Sequence, residues 1–131
     1  MTVLDRLRRQ LEKYREMIAV VAAQRAVFAS LDVDAILGLI ERKRAILAEV
    51  DALEAELAPM KADWAKARSS FSAEDARAIE STLDETQQVL KELVRLEDEG
   101  RALLEKRREE KTVALDQMMS RTRARGAYGA R

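Results

Sequence analysis

Apolar residues recur every three or four positions in the first part of this chain. Leu4, Leu7, Leu11, Tyr14, Ile18, Val21 and Phe28 form one stripe, interrupted by Arg25. A period near 3.5 is the seam of a coiled coil; a half-buried strand alternates every two residues instead. Met17, Val20 and Val27 widen the stripe, so this helix is expected to face more than one neighbour. The period breaks at "SLDVD" and restarts with Ile36, Leu39, Ile46, Val50, Leu53, Leu57 and Met60, with Lys43 as the charged intruder. Asp32 or Asp34 can accept hydrogen bonds from the free amides that open a helix. The turn is tight, which predicts an antiparallel hairpin.

Two further breaks follow. Pro59 lacks an amide and clashes with the preceding turn, so the second helix should end or kink near Leu57. Trp64 keeps the stepping from Met60, which favours a kink. In "SSFSAED", Ser72 precedes Glu74 and Asp75, a helix-opening signature with acids in the first turn. The third helix should run from Ala73 to about Met119, or roughly 70 Å against roughly 40 Å for the first at 1.5 Å per residue. It must overhang or bend, and Gly100 is its weak point. Its apolar stripe thins through "EKRREEKT", so its end should be weakly held.

The expected architecture is all-α: an elongated antiparallel three-helix coiled-coil bundle with a long third helix and a loose C-terminal tail. The helices fall at about 2–30, 33–67 and 73–119, making a coiled-coil domain of residues 1–119 and a flexible basic tail of 120–131. One proline and four glycines leave little material for turns, and with 4% aromatic residues the core must be aliphatic.

The chain has no cysteine and no histidine, which removes disulfides, thiolate chemistry, the usual zinc and haem ligands and any histidine base. No glycine-rich phosphate loop is present. The acid pairs Asp32/Asp34 and Glu109/Glu110 read as caps and solvated helix faces. No catalytic, cofactor-binding or metal-binding residue is assigned, and an enzyme is not expected. The longest apolar run, Met17 to Ala23, is far short of the roughly 20 residues that span a bilayer. The first residues lack the apolar block of a signal peptide, so a cytoplasmic address without membrane insertion is expected.

Arg25 and Lys43, inside apolar stripes, should lay their stems along the seam and carry their charges to water. The alternative is a register-setting polar contact between the first two helices. Residues 117–131 hold four arginines and no acid. Tight non-specific DNA binding generally neutralises about six to ten phosphates. The acidic third helix would also oppose a polyanion, so no nucleic-acid partner is expected. Tyr128, an aromatic residue on the tail, suits a contact with a protein partner.

The stretch "QRAVFASLDVDAILGLIERKRAILAEVDALE", Gln24 to Glu54, resembles the FlgN family of flagellar export chaperones. The matching elements are Asp32 in the turn, then Leu39, Lys43, Ile46 and Leu47 on the following helix. The end "RGAYGAR" is similar to the family's Tyr-Gly tails, here Tyr128 and Gly129. Where the family often carries glycine before the turn aspartate, this chain has Leu31. The resemblance implies a cytosolic chaperone that holds the C-terminal helices of flagellar hook–filament junction proteins and delivers them to the type III export gate.

On that picture the end of the third helix is the working end. Leu103, Leu104, Val113, Leu115, Met118 and Met119 would hold the substrate protein, and methionines suit an adaptable surface. Tyr128 would contact the export gate. Two other readings stand beside it. One is a structural coiled-coil scaffold, which leaves room for a homo-oligomer. The other is a nucleic-acid-associated helical protein.

Overall fold

The computed structural model describes the backbone of residues 1–129 and the side chains of residues 1–122. Among the described residues every regular element is a helix: α1 (Val3–Ser30), α2 (Val33–Ala62), α3 (Trp64–Arg68) and α4 (Ala73–Gly129). The chain divides into two compact units, Met1–Glu97 and Asp98–Arg131, and α4 contributes to both. The boundary between the units falls within α4, after Glu97. Helical backbone continues past the expected end at Met119.

Short polar side chains set the helix starts. Thr2 opens α1 through a capping box: its hydroxyl accepts from the Asp5 amide, and the Asp5 carboxylate accepts from the Thr2 amide, both at 3.1 Å. That bond to the Thr2 amide holds the Asp5 carboxyl below the usual range. α1 ends where Leu31 turns left-handed, at φ 59°. Asp32, of the two candidate acids, caps α2 by accepting from the Ala35 amide at 3.1 Å. Ser72 caps α4 by accepting from the Asp75 amide at 3.1 Å.

The expected second helix is split, and the break is not at its proline. α2 runs through Pro59 to Ala62 and stops at Asp63, with φ −141° and ψ 76°. The Asp63 carboxylate accepts from the Lys66 amide at 3.2 Å and starts α3. Proline deprives the helix of one bond to the preceding turn, which α2 survives near its end. Aspartate offers backbone amides an alternative acceptor, and here that competition ends the helix.

The first unit has two buried clusters. In one, Leu7, Leu57 and Ile79 meet, with Met60, Trp64, Phe71 and Leu83 packed around them. In the other, Met17, Val20, Val21, Ile46, Val50 and Leu93 meet, flanked by Tyr14, Ile18, Leu39 and Leu96. Each cluster draws on α1, α2 and α4. Fully burying one such aliphatic side chain stabilises the fold by about 1.5–3 kcal/mol.

Polar contacts between α1 and α2 follow an order: as residue numbers rise in α1, partners fall in α2. Arg6 pairs with Glu56 at 2.7 Å, Gln10 donates to Glu54 at 2.8 Å, and Lys13 pairs with Glu49 at 3.0 Å. Gln10, fully buried, sits among apolar stripe positions without belonging to their series. Thr82 and Thr86 are also buried, and each hydroxyl donates to the carbonyl four residues back in its own helix.

Candidate functional site

Beyond Glu97 the character of α4 changes. Every residue from Arg101 to Thr122 is exposed. Five of the six apolar residues expected to hold a substrate protein share one side of this segment. At 100° per residue, Leu103, Met118, Leu104, Leu115 and Met119 span about 160° of the helix circumference. Their exposures run from 47% for Leu104 and Met119 to 63% for Met118, whereas Leu7 and Ile79 of the first unit have none. Val113 is the exception. It lines a shallow depression with Lys106, Glu109, Glu110, Ala114 and Gln117. It does not join the other five, because its position turns it to another side of the helix. The Tyr128 side chain, expected to contact an export gate, lies outside the described residues, as do the side chains of Arg123, Arg125 and Arg131.

The two cations inside apolar stripes both reach α4. The Arg25 guanidinium donates to the Leu96 carbonyl at 3.2 Å, and the Lys43 ammonium pairs with Glu97 at 3.1 Å. Both of these contacts run to α4. Arg25 comes from α1 and Lys43 from α2, and they meet adjacent residues of the helix packed against both.

Other polar groups of the first unit hold its helices together. Glu49 pairs with Lys13 at 3.0 Å and Arg9 at 2.8 Å. Hydrogen bonds from Lys13 and then Arg9 hold its carboxyl below the usual range. Burial pushes the Glu54 carboxyl up, but bonds from Lys61 and Gln10 outweigh it and leave the group below its ordinary value. Trp64 donates its indole N–H to Glu80 at 3.2 Å, and its ring lies 6.0 Å from that of Phe71. It is half-buried, a packing residue at the α3–α4 connection.

One exposed apolar patch was not singled out from the sequence. Leu31, Val33 and Leu37, at 76, 64 and 53% exposure, cluster in the chain around the α1–α2 turn. The signal was present in the apolar residues either side of Asp32, which belong to neither helix stripe. Among the described residues no group of acids is arranged to hold a metal ion, and no helix is long and apolar enough to cross a membrane. The acids at 109 and 110 are solvent-facing.

Comparison with protein-family models, curated proteins and solved structures yields no match for this chain.

Proposed function

We propose that the chain is a chaperone of helical protein segments. The Met1–Glu97 unit serves as a scaffold, with α1, α2 and the first part of α4 in an antiparallel three-helix coiled-coil arrangement. The falling order of α2 partners along α1, and the share of each helix in both core clusters, support that arrangement. The α4 segment beyond Glu97 is the binding face. One observation carries the reading: Leu103, Leu104, Leu115, Met118 and Met119 stand exposed together on one side of a helix that buries nothing there. A surface of this kind receives the apolar side of an amphipathic helix, through anchors about a turn apart. Its two methionines adapt to more than one sequence.

The resemblance to the FlgN family gives the reading its specific form. The clients are C-terminal helices of flagellar hook–filament junction proteins, kept unassembled in the cytosol and passed to the type III export gate, with Tyr128 as the gate contact. The work requires binding and release and no covalent chemistry.

Co-expression with a hook–filament junction protein tests this directly. A complex of about equimolar composition is expected on size-exclusion chromatography with light scattering. The double variant Leu104→Asp/Met118→Asp should lose the complex while its helical circular dichroism and thermal melt stay unchanged. A complex that survives both substitutions would move the binding face elsewhere. A full-length chain that binds no junction protein would leave the scaffold reading in its place.

A further inference from the structure

The exposed side of α4 beyond Glu97 carries more than apolar residues. Counting 100° per residue from Leu103, Arg107, Lys111, Arg108 and Arg101 fall at about 40°, 80°, 140° and 160°, inside the arc of the five apolar side chains. Arg107, Arg108 and Lys111 stand between Leu104 and Leu115 along the helix, so the cations interrupt the apolar row as well as flank it. All four are exposed, and among the described residues no ion pair holds any of them.

No acid of the segment falls inside that arc. Asp98, Glu105, Glu109 and Asp116 gather at about 200–240° on the same count, on the other side of the helix. Glu99 and Glu110, at about 320° and 340°, lie with Lys106 beside the Leu103 edge of the arc. Net charge over the segment hides this division, because cations and acids nearly balance. The division is one of faces.

The first unit shows the opposite habit. There the cations at helix contacts find carboxylates across the interface: Arg6 with Glu56, Lys13 with Glu49, Lys43 with Glu97. A face that combines aliphatic anchors with cations lacking such partners is complementary to a helix that brings its own carboxylates. We infer that the partner of this face is an acidic amphipathic helix, one whose apolar row is interleaved and flanked by Asp and Glu. This rests on the proposed reading of the segment as a helix-binding face and adds the charge of the client. Complementary charge steers the encounter and rejects wrong partners more than it adds affinity. The cations therefore act as a filter on which helices the apolar anchors accept. An anionic membrane surface would also attract cations. A protein helix is favoured because Arg107, Arg108 and Lys111 divide the apolar row, where a lipid-facing stripe would be continuous.

The test uses the full-length chain and three synthetic amphipathic helices with one shared leucine row and Glu, Gln or Lys at the flanking positions. Binding is read by fluorescence anisotropy at low and high salt, with vesicles of half anionic lipid as a fourth probe. The Glu peptide should bind about tenfold tighter than the Gln peptide at low salt, with the margin shrinking as salt is raised. The Lys peptide should bind most weakly. In Arg107→Glu/Lys111→Glu the order should reverse. Equal binding of the Glu and Gln peptides would overturn the acidic client and leave a helix-binding face standing. Binding of no peptide would overturn both readings. Preference for the vesicles over every peptide would make the segment a membrane-surface helix and overturn the inference.

Discussion

Glu49 shows how single residues tie α1 to α2. It is partly exposed, yet it accepts from Lys13 and Arg9, one turn apart on α1. Exposed pairs are individually weak, and a carboxylate shared by two cations is the geometry in which they add up. Its folded-state pKa lies below the ordinary 4.5, through the bonds from Lys13 and Arg9. A lowered carboxyl pKa means that the folded state binds the proton less readily than the unfolded chain. The stabilisation is therefore complete above the ordinary value and is lost as pH falls from there through the depressed value. Denaturant unfolding between neutral pH and pH ~3 should show a shallower acid loss in Glu49→Gln than in the parent. Equal slopes would mean that the network does not couple to stability. Gln10 teaches a different lesson at the same scale. Its amide donates to Glu54, but its side-chain oxygen is buried without a hydrogen-bond partner. A polar residue within a leucine stripe gives no sequence signal of whether it faces the core or water.

At the scale of elements, the α2–α3 break is a contest between two helix breakers. Pro59 was the obvious one, and α2 passes through it. Asp63 ends the helix because its carboxylate can cap the next one. Replacing Asp63 with Ala should remove that acceptor and cost about 1 kcal/mol, the ordinary worth of an N-cap. An unchanged denaturation midpoint would show that packing of Trp64 and Phe71 alone holds α3. The other element starts, at Asp32 and Ser72, were readable because capping depends on residues within one turn. The Thr2–Asp5 capping box has the same local logic, three residues apart at the start of α1.

For the whole molecule, the decisive fact is where burial stops. Among the described residues the buried ones all lie at or before Leu93, although α4 continues far beyond. A chain truncated after Glu97 should keep its thermal midpoint within a few degrees of full length, since a change of ~1 kcal/mol moves a domain of this size only about 4–8 °C. The same chain should bind no client helix. A fall well beyond that range would show that residues 98–131 help to hold the first unit.

The stepping of Leu4, Leu7 and Leu11, and of Ile46, Val50 and Leu53, determined from sequence alone that the chain is helical and which faces are apolar. Helical periodicity is a property of neighbours three and four apart, and so is capping. The six residues singled out on the third helix were legible as apolar side chains; their exposure is what the structure adds. What the tertiary structure decided is which surfaces meet. It sends both Arg25 and Lys43 to α4, buries Gln10, divides the chain at Glu97 and separates Val113 from its five companions. These depend on groups far apart in the chain, or on the helix turning through 100° at each residue. Periodicity shows that an apolar face exists; only packing shows whether it is covered, and from Arg101 to Thr122 it is not.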